Sequence, residues 1–263
     1  MIPDTRYQIP KLQMKNSLVL SGGGARGFAH LGVLQAFEEL EIPIDEIAGA
    51  SAGAIVGAFY FAGHKPKEIL KLISSYRIYH WARPIWRKPG FMHMDKIAEL
   101  FSKYMPDTFE KLDRPLTVSV TDILQAETLF FNSGPLVPAV CASACLPVLF
   151  EPIKFAGSQM VDGGILNNFP TDPFIGKGTN IIGVHVNPVP GGLEHIHFKN
   201  MPDRTINLLL RREVLEKKDQ CTVFIEPMEC WKYNILDIGE GETIFKIGYD
   251  ATMLMKDELL KLK

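Results

Sequence analysis

Leu18-Val19-Leu20 is a short apolar run that stops at Gly22-Gly23-Gly24-Ala25-Arg26-Gly27, and from Phe28 the residues Leu31, Leu34, Phe37 and Leu40 recur at helical spacing. The pattern then repeats. Ile47-Ala48-Gly49 reads as a strand end, and Ala52 to Phe61 as an apolar helix closed by Gly63. Two strand-loop-helix units in series constrain the chain strongly, because strands joined through a helix run parallel and need helices to cover their sheet.

Further strands are expected at Thr117–Thr121, Thr128–Phe131, Ile153–Val161, Ile181–Val186 and Thr222–Ile225, and helices at Pro66–Ser75, Met94–Tyr104, Arg204–Lys218 and Thr243–Leu262. The mixture predicts an α/β fold, a three-layer α/β/α sandwich with a mainly parallel central sheet. No internal repeat or linker-like stretch divides the chain. Residues 1–16 are expected to form an N-terminal extension and residues 17–263 a single domain.

Hydrophobic residues make up 46% of the 263 and charged residues 22%, a globular composition. The formal net charge of −2, with no basic cluster, argues against nucleic acid as a partner. Cys141, Cys145, Cys221 and Cys230 include no Cys-x-x-Cys pair, so buried free thiols in a reducing compartment are expected. No signal-peptide pattern opens the chain, and the uncharged stretch Ile47–Gly63 is short for a membrane span. The expectation is a cytoplasmic protein. The aromatic, basic stretch Trp81–Phe91 would suit a peripheral membrane contact or an active-site cover, and the plainer alternative is an ordinary packed loop.

Gly49-Ala50-Ser51-Ala52-Gly53 matches Gly-x-Ser-x-Gly between an expected strand and an expected helix, the setting of a nucleophile elbow. Small flanking residues let a serine stand at the apex of a tight turn, at a helix N-terminus that favours developing negative charge. A close-packing turn with an incidental serine is the plainer alternative. The N–H groups of the 22–27 loop can converge on an anion, and Gly23 and Gly24 are the donors chosen for an oxyanion. The same loop also reads Gly-x-Gly-x-x-Gly, a dinucleotide fingerprint. That alternative needs an acid where the second strand ends, whereas Asp45 and Glu46 precede that strand and Gly49-Ala50-Ser51 stands at its end. Asp162, followed by Gly163 and Gly164, puts a carboxylate where a strand gives way to a turn.

Taken together, Gly-Gly-Gly-Ala-Arg-Gly at 22–27, Gly-Ala-Ser-Ala-Gly at 49–53 and Asp-Gly-Gly at 162–164 resemble the motifs of the patatin-like phospholipases, in family order. The resemblance extends to Ala142-Ser143-Ala144-Cys145-Leu146-Pro147 and Asn167-Asn168-Phe169-Pro170, so the motif-bearing core is about 17–175 and the part from 176 to 263 is less recognisable. It implies a single-domain, bacterial-type member that hydrolyses acyl-lipid esters through a Ser51–Asp162 dyad, without a catalytic histidine or a cofactor. It also implies an oxyanion hole from Gly22, Gly23, Gly24, Ala25, Arg26 and Gly27, with Arg26 either orienting the loop or meeting a substrate phosphate.

Three alternatives stand beside this. His185, His195 and His197 lie downstream of both motifs and keep a Ser-Asp-His triad open; the others are dinucleotide binding and a catalytically silent scaffold. His30, one turn beyond the glycine loop, is expected outside the site. Neither a His/Glu pair at helical spacing nor an acidic calcium-loop pattern lies near the motifs, so no metal is expected. The sequence sets no oligomeric state.

Overall fold

The computed structural model describes residues 14–75, 94–147 and 149–263. The Trp81–Phe91 segment, the expected cover or membrane contact, lies outside them, as does most of the N-terminal extension.

Strands β1 (Asn16–Leu20), β2 (Glu46–Ala50), β3 (Leu116–Asp122), β4 (Glu127–Phe131), β5 (Ile153–Phe155), β6 (Ser158–Asp162), β7 (Asn180–Val184) and β8 (Val223–Ile225) form one sheet. Its order is β5-β6-β3-β2-β1-β7-β8, with β4 also paired to β3. The pairings from β3 through β2, β1 and β7 to β8 are parallel, as the repeated strand-loop-helix pattern requires. At the other edge β4, β5 and β6 pair antiparallel, so the sheet is mixed.

Successive side chains of β1 serve opposite faces. Leu18 and Leu20 join a large apolar cluster formed with α1 (Phe28–Leu40), α2 (Ala52–Phe61), α3 (Pro66–Ser75), α4 (Asp95–Tyr104) and α5 (Leu136–Ser143). Val19 and Ala48 point into a smaller cluster with Phe169, Phe174, Ile181 and Val214, the last on α6 (Met201–Lys217). Helices thus cover both faces, the three-layer arrangement the sequence predicts. Helix α7 (Gly241–Met253) lies against α1, and the short α8 (Lys256–Leu259) follows it.

Two expectations need correction, and one helix is added. Ile153–Val161 is a hairpin, β5 and β6, because Ala156 and Gly157 both take positive φ (51° and 84°) and reverse the chain in two residues. The helix expected over Thr243–Leu262 breaks after Met253, where the N–H groups of Leu254 and Met255 bond to Asp250 and Thr252 and the helix restarts at Lys256. Helix α5 was not anticipated; its small residues and internal Pro138 gave no clear periodicity.

Candidate active site

Ser51 follows β2 and precedes α2 with φ 50° and ψ −118°, a conformation that costs a non-glycine residue about 1–3 kcal/mol and survives only where its surroundings enforce it. The enforcement is visible on both sides. Gly53 lies so close to β1 that a side chain there would collide with the Leu20 carbonyl. The Ser51 N–H donates to Ser143 Oγ at 2.8 Å, and that hydroxyl donates to the Ser119 carbonyl at 2.7 Å. The turn aims Ser51 Oγ at Asp162, whose Oδ2 accepts its hydrogen bond at 2.7 Å.

Asp162 reaches this point because β6 runs antiparallel to β3 and ends beside Val120, level with the end of β2. Its Oδ1 accepts the Gly164 N–H at 2.8 Å, which orients the carboxylate and occupies the turn after it. Burial pushes the Asp162 carboxyl up to about 6, with the bonds from Ser51 and Gly164 acting against that rise. The group is therefore poised to accept a proton near neutral pH while touching a serine hydroxyl.

The glycine loop is held at nearly every polar atom. The Gly22 N–H donates to the Asn168 carbonyl at 3.1 Å, and the Gly22 carbonyl accepts Asn187 Nδ2 at 2.6 Å. The Ala25 N–H donates to the Ile235 carbonyl, and the Arg26 N–H to the Gly23 carbonyl. The Arg26 guanidinium is buried: Nε donates to the Tyr233 carbonyl at 2.8 Å, one terminal nitrogen to Asn187 Oδ1 at 3.0 Å, and the other pairs with Asp203. Of the six loop residues expected to form an oxyanion hole, Gly22, Ala25 and Arg26 spend their N–H groups on the protein itself. Those of Gly23 and Gly24 have no partner among the described residues. With each of its three nitrogens bonded to the protein and the side chain buried, Arg26 clamps the loop.

Among the described residues, His30, His185, His195 and His197 make no hydrogen bond to Ser51 or Asp162. His185 Nδ1 lies 2.9 Å from Glu226 Oε1, and its ring stacks on Phe224. His195 and His197 are exposed and face each other. His30 is fully buried; its Nε2 lies 2.8 Å from the Ser21 carbonyl, an acceptor, so that nitrogen carries the proton. Burial drives its pKa down to about 4. Glu46, the acid nearest the dinucleotide spacing, opens β2 at the end opposite Ser51 and bonds Ser17 Oγ. The four cysteines are free, and burial raises their thiols to about 11 or 12. Among the described residues no cluster of His, Cys, Asp or Glu is arranged to hold a metal, and no helix is long and apolar enough to cross a membrane.

Sequence reasoning assigned no part to Ser143, Asn187 or Asp203, whose contacts lie 92, 161 and 177 residues from the groups they hold. Ser143 and Asn168 fall in stretches that carry the family resemblance, which was the available signal.

Fold and elbow together define an α/β protein with a serine presented on a strand-turn-helix at the C-terminal end of a central strand of a mixed sheet. A family model described as patatin-like phospholipase matches residues 18–175, and the chain belongs to that family. It is 32% identical over 199 residues to an uncharacterized NTE family protein of Mycobacterium tuberculosis, covering 74% of this chain and 55% of that protein. It is 28% identical to Lysophospholipase NTE1 of Meyerozyma guilliermondii, covering 88% of this chain and 18% of that protein. This chain thus spans about half the length of the mycobacterial relative. The crystal structure of VipD from Legionella pneumophila shares the fold, with a TM-score of 0.59 at 17% identity, covering 93% of this chain and 67% of that one.

Proposed function

We propose that this protein hydrolyses carboxylic esters of acyl lipids, with Ser51 as nucleophile, Asp162 as general base and the N–H groups of Gly23 and Gly24 as oxyanion donors. The observation that carries the reading is the 2.7 Å contact between Ser51 Oγ and Asp162 Oδ2 at a strained elbow. Family membership and the lysophospholipase name of the Meyerozyma relative support a lipid substrate.

In this mechanism Asp162 takes the hydroxyl proton as Ser51 Oγ attacks the ester carbonyl, and the carbonyl electrons move onto the oxygen. Two preorganised N–H donors receive that charge; loss of one such donor typically costs about 3–4 kcal/mol of transition-state stabilisation. The tetrahedral intermediate expels the alcohol, which takes the proton from Asp162, and an acyl-Ser51 ester remains. Water then attacks that ester, gives its proton to Asp162, and Ser51 leaves as the alkoxide that reclaims it. The carboxylate does directly what a histidine does in a triad, and a pKa near 6 makes it a stronger base than an ordinary aspartate.

The test is hydrolysis of a p-nitrophenyl ester chain-length series and of lysophosphatidylcholine by the parent protein, Ser51→Ala, Asp162→Asn and His185→Asn. Loss in the first two variants with His185→Asn active is expected. Full activity in Ser51→Ala would overturn the proposal, and loss in Ser51→Ala and His185→Asn alone would replace the dyad with a triad.

A further inference from the structure

Helix α6 is built inside out. Several of its polar residues turn toward the protein: Asp203 meets Arg26, Glu213 accepts the N–H groups of Asn168 and Phe169 at 3.1 and 3.4 Å, and Asn207 is only 8% exposed. Lys217 Nζ reaches Asn167 Oδ1 and Asp172 Oδ2, each at 2.8 Å. Val214 packs into the core, but most of the other apolar residues turn the other way. Leu209 is 74% exposed and Ile206 53%, with Met201, Leu208 and Leu215 also exposed, as is Phe198 just before the helix. A helix resting on a globular protein normally does the reverse, and an apolar surface of this extent marks a binding face.

The charges on that face select its occupant. Arg211 and Arg212 are exposed beside the leucines, and Glu216, paired with Arg212 at 2.9 Å, is the acid among them. A second copy presenting the same face would meet it across a twofold axis and bring arginines against arginines. An anionic bilayer takes up both the apolar side chains and the guanidinium groups. More apolar surface lies near the reacting groups: Ile165 and Leu166 are exposed just after Asp162, and so is Leu236, next to the Ile235 that packs on Gly24.

We propose that the outer face of α6, together with Phe198, docks this protein on anionic phospholipid bilayers. The inference rests on the lipid-hydrolase reading and deepens it by naming the surface that meets the substrate's membrane. Through Asp203 and Glu213 the docked helix also holds the glycine loop and the chain after Asp162, so docking and catalysis share one element.

The experiment is flotation with phosphatidylcholine vesicles containing phosphatidylglycerol, using Ser51→Ala so that the lipid survives, with and without L208D/L209D. The double variant is expected to lose at least about tenfold in vesicle binding. In the Ser51 background it loses vesicle hydrolysis in proportion, while kcat/KM on p-nitrophenyl butyrate stays within about twofold. As a check independent of folding, Leu209→Trp should add a blue-shifted emission when vesicles are mixed in. Failure of the Ser51→Ala parent to float, unchanged flotation of the double variant, or no added shift from Leu209→Trp would overturn the docking surface. A dimer that L208D/L209D dissociates while flotation persists would assign the face to a second copy instead. Absence of ester hydrolysis in a protein whose flotation depends on Leu208 and Leu209 would remove the catalytic proposal and leave the docking face standing.

Discussion

The backbone of Ser51 is tied to the side chain of Ser143: the Ser51 N–H donates to Ser143 Oγ at 2.8 Å, and that hydroxyl, fully buried, donates in turn to the Ser119 carbonyl. One hydroxyl therefore holds the elbow against the neighbouring strand. Ser143→Ala would leave the Ser51 N–H without its partner, a loss of about 1–3 kcal/mol in stability. The same change lets Ser51 relax from its strained conformation, so kcat should fall by about tenfold or more with KM little altered. Thermal unfolding and steady-state kinetics on a soluble ester check both halves; an equal loss in KM would mean that Ser143 acts on substrate binding instead.

The Asp162 carboxyl stands near 6 because burial outweighs the bonds from Ser51 and Gly164. The base is active when ionised, so kcat/KM should rise tenfold per pH unit up to about 6 and then level off. His185→Asn should keep that limb in place. A limb that vanishes in His185→Asn would transfer the base to histidine.

The repeated strand-loop-helix pattern and the three glycine-bearing turns were legible because each is a local constraint: a strand that ends in a tight turn needs small residues within a few positions. What escaped notice depends on distance. Ser143 matters because α5 passes behind the elbow, and Asp203 because α6 crosses to the glycine loop; no spacing in the sequence announces either contact. The hairpin at Ala156-Gly157 was hidden in a run of strand formers with Gly157 as its main turn signal, and α6 was legible as a helix while its outward apolar face was not.

Two buried groups near the site push stability in opposite directions as pH changes. Asp162 has a folded pKa raised from 3.8 to about 6, so its contribution is full below the unfolded value and is lost as pH rises through about 6. His30 is depressed from 6.5 to about 4, so its contribution is present above 6.5 and lost as pH falls through about 4. Asp162→Asn removes the first of these. The variant should unfold several degrees higher than the parent at pH 8, an upper bound of about 3 kcal/mol, and the gap should close toward pH 4. Melting curves across that range decide it; identical curves at pH 8 would mean that the ionised carboxylate costs the fold nothing.

Arg26 offers the sharpest separation of a positioning role from a substrate contact. Its guanidinium meets Tyr233, Asn187 and Asp203 at once, a fork that a lysine ammonium cannot reproduce. Arg26→Lys should therefore lower the unfolding temperature and reduce kcat by about 10–100-fold through the loosened Gly23 and Gly24 donors. Because the guanidinium points into the protein, the loss should be the same for a neutral p-nitrophenyl ester and for a lysophospholipid, with KM moving by less than about threefold on either. A rise in KM confined to the phosphate-bearing substrate would show that Arg26 leaves its clamp to meet the head group. Asp203→Asn keeps a hydrogen-bond acceptor for the guanidinium, so it should reproduce a smaller version of the kcat defect, as expected if the pair works by holding the glycine loop in place.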